Sequence, residues 1–319
     1  MVNPESVTKV KFNNGKTAPA IGLGTWQSPP DGSVYRAVKT AIECGYRHLD
    51  CAYIYMNHKE VGQAIADSIA SGTVTREDLF ITSKIWMTFY RKDRVPLCMK
   101  QILEDLNLTY LDLTLIHWPM CLKQTDETEW PADENDKLIE GDCDFIEAYQ
   151  SLENLVDQGL TRSIGVSNFN EEQIERLLKV ARIVPVCNQV ESTPYLSQES
   201  LRAFCAERSI LLTAYSPLGN PGSTFFPPGF IKKDLLNDPL VLRLAEKYKK
   251  NAGQILLRYH IDRGMMVMAK STNPERIKSN IDLFDFELDR SEIEELSALN
   301  QNYRTLEFHR GTFMKNYPF

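Results

Sequence analysis

The chain has 319 residues, 43% hydrophobic and 25% charged, a balance typical of a globular protein with a sizeable core. Its net charge of −7, with no basic stripe interleaved with aromatics, argues against a nucleic-acid partner. No run approaches the roughly 18 uninterrupted apolar residues of a membrane span, so no membrane partner is expected.

The N-terminus, MVNPESVTKVKF, lacks an apolar signal region, and the seven cysteines (Cys44, Cys51, Cys98, Cys121, Cys143, Cys187, Cys205) are scattered without a CxxC pair. Free thiols and a cytoplasmic placement are the expectation, with no metal site. No low-complexity linker divides the chain, so one domain is read over residues 1–319, acting as a monomer.

In chain order, KVKFNNGKTAPA reads as a hairpin turning at Asn14-Gly15. IGLGT reads as a first buried strand. Helix-like and strand-like segments then alternate almost to the end. SVYRAVKTAIECG leads into YRHLD, NHKEVGQAIADSIASG into LFITSK, and RKDRVPLCMKQILEDLNL into LDLTLIH. DFIEAYQSLENLVDQG precedes SIGVSN, NEEQIERLLKVAR precedes VCNQVE, and SQESLRAFCAERS precedes ILLTAYSP. DPLVLRLAEKYKK and NAGQILLRYHIDRG precede MMVMAK, and NPERIKSNIDLF closes the series.

Eight strand candidates separated by helices imply parallel strands with right-handed crossovers. That favours a closed (β/α)8 TIM barrel with an N-terminal β-hairpin and its active site at the C-terminal strand ends. A doubly wound open sheet is the rival, but no GxGxxG follows IGLGT and no GxxxxGK[ST] is present. Residues 118–143, 216–238 and the tail after 300 exceed simple connectors, and the first two would overhang the mouth.

Many strand candidates stop at a residue able to move a proton or hold a charge. Asp50, Lys84 and His117 end three consecutive strands, with Tyr55 just past the first; Asn168, Gln189, Tyr215 and Lys270 mark later ones. A phenol can donate a proton to a developing alkoxide. An adjacent Lys84 ammonium would favour its phenolate and lower its pKa, Asp50 would hold Lys84, and His117 would orient the substrate oxygen. Singly, each has a structural reading: Asp50 as a helix cap, Tyr55 as packing, Lys84 as a surface charge, His117 as a core histidine. Together on consecutive strand ends they suit carbonyl reduction. Lys270 and Arg276 flank Ser271-Thr272 before a helix start, an arrangement that attracts anions.

GLGTW, GYRHLDCAYIY with NHKEVG, SKIW, LIHWP, GVSNF, NQVE, AYSPLG, KSTNPERIKSN and the ending NYPF together resemble the aldo-keto reductase superfamily, in its aldose reductase-like branch, along the whole chain. The resemblance implies an NADPH-dependent carbonyl reductase acting on a small-molecule aldehyde or ketone. In it Tyr55 is the general acid, tuned by Lys84 and Asp50, and His117 orients the carbonyl. Ser167, Asn168 and Gln189 would hold the nicotinamide carboxamide and Tyr215 would stack on its ring. Ser216, Leu218 and the following loop would line the pyrophosphate, Lys270, Ser271, Thr272 and Arg276 the 2′-phosphate, and Asn280 the adenine; Thr25, Trp26 and Asp50 would border the coenzyme.

The substrate wall would be Trp26, Tyr55, Trp86, His117 and Trp118, with Trp130, Phe225, Phe226 and Phe308 from the variable loops. Such a wall prefers apolar carbonyl compounds. Gln27, Gly222 and Ser279 depart from residues relatives often carry (Lys, Asp and Glu), which implies a looser loop over the pyrophosphate and faster coenzyme release. A hydroxysteroid or prostanoid oxidoreductase of the same family, a non-catalytic NADPH-binding barrel, and a metal-dependent barrel hydrolase are the alternatives; five histidines without an HxH pair disfavour the last.

Overall fold

The computed structural model describes residues 2–222, 226 and 229–319. The opening hairpin pairs β1 (Lys9–Lys11) with β2 (Thr17–Pro19), and Gly15 takes the left-handed conformation (φ 82°) that its turn requires. Eight parallel strands then close a barrel: β3 (Ile21–Gly24), β4 (His48–Asp50), β5 (Phe80–Ile85), β6 (Leu113–Ile116), β7 (Ile164–Ser167), β8 (Cys187–Glu191), β9 (Leu211–Tyr215) and β10 (Met266–Lys270). They run in chain order, with β10 returning to β3 through the pairs Val267–Ile21 to Lys270–Gly24. The expected (β/α)8 barrel is therefore present. The strands β3 to β8 are buried along their whole length, which is why they read as apolar runs rather than alternating ones.

The helices between strands are α1 (Ser33–Cys44), α2 (His58–Ala70), α3 (Val95–Leu106), α4 (Phe145–Asp157), α5 (Glu171–Leu178), α6 (Glu199–Glu207), α7 (Pro239–Tyr248), α8 (Ala252–Asp262) and α9 (Pro274–Ile281). Their ends follow local chemistry. Pro96 sits in the first turn of α3, Asp144 accepts from the Ile146 amide to start α4, and Asn170–Gln173 and Asn251–Gln254 form reciprocal caps on α5 and α8. A tenth helix, α10 (Arg290–Ala298), was not anticipated: it is mostly polar, but Leu296 and Ile293 pack into a satellite core with α7 and α8.

The hairpin seals the N-terminal end of the barrel. Phe12 and Ala18 pack there with Phe80, Leu113, Val186 and Met266. The opposite end stays open beneath the three long segments. In the first of these Cys121 and Cys143 are disulfide-bonded, so the expectation of seven free thiols is corrected: the other five are free and buried. A sequence separation of 22 gave no spacing signal; a chain reversal brings the two Cα atoms to 6.0 Å. Among the described residues no helix is long and apolar enough to cross a membrane, and no cluster of three or more His, Cys, Asp or Glu side chains is placed to hold a metal.

Candidate active site at the mouth of the barrel

Parallel strands in a closed barrel end on one rim, so their last residues must converge. β4 ends on Asp50, β7 on Ser167, β9 on Tyr215 and β10 on Lys270, while His117 directly follows β6 and Lys84 is the penultimate residue of β5. A cavity of about 750 Å³ opens above them. Asp50, Tyr55, His117, Ser167, Asn168, Gln189, Tyr215, Ser216, Leu218, Lys270, Ser271, Thr272, Arg276 and Asn280 all line it, as do Trp26, Trp86, Trp118, Trp130 and Phe308.

Some expected residues lie elsewhere. Lys84 and Thr25 stand behind the wall, Lys84 at 1% exposure and Thr25 donating from Oγ1 to the Asp50 carbonyl at 3.0 Å. Phe226 stacks on Phe230 and does not line the cavity, and Phe225 falls outside the described residues.

The floor is one polar network. Lys84 Nζ donates to Asp50 Oδ2 at 2.7 Å and to the Cys51 carbonyl at 2.8 Å, and Gln189 Nε2 donates to Asp50 Oδ1 at 2.8 Å. Lys84 Nζ lies 5.2 Å from the Tyr55 ring centroid, and the rings of Tyr55 and His117 are 5.8 Å apart, edge to face. Asn168, held at positive φ (64°), donates to the His117 carbonyl at 3.0 Å and accepts from the Tyr215 hydroxyl at 2.7 Å. Ser167 Oγ donates to the Gln189 carbonyl at 2.7 Å. Each strand end is thus fastened to its neighbour.

Electrostatics adjust one expectation. Burial, and after it the Asp50 carboxylate, holds the Tyr55 phenol well above the ordinary tyrosine value. The Lys84 ammonium does not reverse this because its hydrogen bonds go to Asp50 and Cys51, not to the phenol. Tyr55 is therefore fully protonated at neutral pH. Burial and then the Lys84 charge hold His117 well below the usual imidazole value, so it is neutral, and its Nδ1 has no hydrogen-bond partner among the described residues. Desolvation and then the Arg276 charge lower the Lys270 ammonium.

The aromatic wall comes from segments far apart in the chain. Trp86 packs edge-on against His117 (5.4 Å between centroids) and Trp130 (4.9 Å), Trp130 stacks on Phe308 (6.0 Å), and Phe308 meets Trp118 (5.1 Å). Trp86 Nε1 donates to the Glu129 carbonyl at 2.8 Å, seating the loop tip.

A family model described as the aldo/keto reductase family matches residues 20–301. The chain belongs to the aldo/keto reductase family. A relative from Rattus norvegicus, aldo-keto reductase family 1 member C15, is 43% identical over 317 residues, covering 97% of this chain and 96% of its own. Dihydrodiol dehydrogenase 3 of Bos taurus is 42% identical, covering 98% and 97%. Among solved structures, an aldose reductase from Schistosoma japonicum superposes with a TM-score of 0.91 at 41% identity, covering 98% of each chain. An aldo-keto reductase from Bombyx mori in complex with NADP gives 0.89 at 40% identity, covering both chains completely.

The cavity also uses residues that sequence reasoning missed: Gly24, Ile54, Leu236, Met268 and Leu306. Two had a usable signal. Met268 lies two residues before Lys270 on one strand, so the two share a face. Leu306 lies two residues before Phe308. A further omission is Glu191, the buried last residue of β8, which accepts from the amides of Thr305 (2.9 Å) and Leu306 (3.0 Å) and from the Thr305 hydroxyl, and so binds the tail to the barrel rim.

Proposed function

We propose that this protein is an NADPH-dependent carbonyl reductase that converts aldehydes and ketones to alcohols with Tyr55 as general acid. One observation carries the reading: a single cavity holds Tyr55 and His117, the Lys270–Arg276 cation pair and an aromatic wall. Aldo-keto reductases use NADPH, and the residues present fit it. Two like charges, Lys270 and Arg276, share the cavity beside Ser271 and the first turn of α9, and neither forms a salt bridge among the described residues; a phosphate there relieves their repulsion.

When bound, NADPH supplies a hydride to the carbonyl carbon. Lys270, Ser271, Thr272 and Arg276 hold the 2′-phosphate, Asn280 the adenine, and Ser216 and Leu218 border the pyrophosphate. Ser167, Asn168 and Gln189 hold the carboxamide, and Tyr215 packs on the nicotinamide. The neutral His117 orients the carbonyl oxygen. Tyr55, protonated by virtue of its burial, gives its proton to that oxygen as negative charge develops there. Lys84, pinned by Asp50, stabilises the phenolate left behind.

Trp26, Trp86, Trp118, Trp130 and Phe308 select apolar carbonyl compounds by burial and stacking. Gln27 and Gly222, both on the cavity lining, are uncharged residues, which favours rapid coenzyme release. Five buried free cysteines beside the one disulfide-bonded pair support a cytoplasmic setting, and the protein is proposed to act as a monomer. A hydroxysteroid or prostanoid substrate is the second reading, motivated by relatives named estradiol 17 beta-dehydrogenase 5 and prostaglandin F synthase 2.

The test is NADPH oxidation with a panel of aldehydes and ketones, on wild type and Tyr55→Phe. Wild type is expected to turn over, and Tyr55→Phe to lose at least about a hundredfold in kcat, the size of a removed general acid, with NADPH binding kept. Full activity in Tyr55→Phe would overturn the assignment.

A further inference from the structure

The Cys121–Cys143 pair stands where a change of bonding acts on the site. Cys121 lies three residues past Trp118, at the start of the loop that follows β6; Cys143 abuts Asp144, the residue that caps α4. Between them the loop runs out to Glu129 and Trp130, whose contacts with Trp86 form part of the cavity wall. The cross-link therefore joins the two ends of the segment that carries Trp130.

Other bonds hold the same base. Gly141 N donates to the Cys121 carbonyl and Lys123 N to the Ile139 carbonyl, each at 2.9 Å, and Leu122 N donates to the Met87 carbonyl at 3.2 Å. Opening the disulfide leaves these in place, so the loop loosens and does not unfold. The chemistry of the pair suits reversibility. Cys121 is 3% exposed while Cys143 is half-buried, so an external thiolate reaches the Cys143 sulfur first. Gln124 Nε2 lies 3.5 Å from each sulfur, placed to donate to a thiolate when one is released.

We propose that Cys121 and Cys143 form a thiol–disulfide modification site that sets the rigidity of the Trp130 wall. The oxidant is a low-molecular-weight disulfide. The Cys143 thiolate attacks one of its sulfurs and expels a first small thiolate; the Cys121 thiolate then attacks the Cys143 sulfur of the mixed disulfide and expels the second. The two protein thiols lose two protons and two electrons, and two small thiols carry both away. A dithiol reductant runs the exchange backwards, entering at Cys143. Oxidised, the wall is closed at its base and pre-organised for a flat apolar carbonyl compound; reduced, part of the binding energy is used to order it. The effect on carbonyl binding rests on the reduction proposed above; the cross-link and its effect on the loop do not.

The experiment compares the full chain equilibrated with oxidised glutathione and with dithiothreitol. Alkylation under denaturing conditions, read by intact mass and peptide mapping, is expected to label Cys121 and Cys143 only in the reduced form. Trypsin is expected to cut faster after reduction at Lys123 and Lys137, both exposed within the loop. KM for an aromatic aldehyde should rise about two- to tenfold on reduction, the range for ordering one large side chain, with KM for a small aliphatic aldehyde unchanged. Cys143→Ser should behave as the reduced form under both conditions. The proposal is overturned by failure of the pair to form in glutathione, or by equal cleavage rates and aromatic KM values in the two states. If neither form reduces any aldehyde, the reductase reading fails, while mass and cleavage still decide the cross-link.

Discussion

Lys84→Met tests the charge network beneath the cavity. The Lys84 ammonium is 1% exposed, donates to Asp50 at 2.7 Å and to the Cys51 carbonyl at 2.8 Å, and is the buried counter-charge of a carboxylate that Gln189 holds from the other side. At an effective dielectric of about 20, unit charges at that separation attract by roughly 6 kcal/mol. Desolvating each ion costs several kcal/mol, so the intact pair contributes little net stability, whereas removing one partner costs about 3–5 kcal/mol because the other charge stays buried and alone. Lys84→Met is therefore expected to lose about 3–5 kcal/mol in urea unfolding followed by tryptophan fluorescence. Adding Asp50→Asn should recover a large part of that loss, a strong coupling in a double-mutant cycle. The recovered double variant should remain a poor reductase, since Tyr55 has lost the cation that stabilises its phenolate. Additive losses in the cycle would show that the two groups do not share one charge balance.

Three further outcomes follow from the geometry. Lys270→Met and Arg276→Met should each weaken NADPH binding by about tenfold or more, the worth of a charge-assisted hydrogen bond, and leave NADH nearly unaffected; equal weakening of both coenzymes in a fluorescence titration would remove these cations from the 2′-phosphate. Burial depresses His48 to about 4 and His58 to about 3, so the unfolded chain takes up protons below the ordinary imidazole value of 6.5 before the folded one does. Stability is then full above that value and falls as pH drops towards the depressed values, by about 2 kcal/mol per histidine at pH 5; a urea midpoint unchanged between pH 7 and pH 5 would contradict this. Glu191→Gln replaces the charged acceptor that binds the tail at Thr305 and Leu306. It should raise KM for aromatic substrates and cost about 1.5–3 kcal/mol; lost stability with unchanged KM would confine Glu191 to the fold.

The barrel was legible because its strands are buried on both faces and end abruptly: LDLTLIH and MVMAK announce both the strand and the polar residue at the rim. Rules of closure then place those rim residues together without further information. α10 was less legible, since its charged sequence hides the Ile293 and Leu296 side that packs on α8. The sign of the Tyr55 shift could not be read either. It depends first on how deeply the phenol is buried and then on whether Lys84 donates to the phenol or to Asp50, 34 positions away, and local pattern shows neither.

Residues whose neighbours are fixed by strand register could be named together with those neighbours, whereas for residues on loops the side chains could be named but their partners could not. Trp118 meets Phe308, and Trp130 meets both Trp86 and Phe308, across gaps that no periodicity spans. The disulfide and the Glu191 clamp act on those same long-range contacts, one at the base of the Trp130 loop and one at the start of the Leu306–Phe308 tail. The proposed proton-donating centre is built from short strand ends held by buried hydrogen bonds, while the proposed substrate wall depends on two separately fastened loops. Changes to either fastening should therefore appear first in KM for large substrates, and changes beneath the strand ends first in kcat.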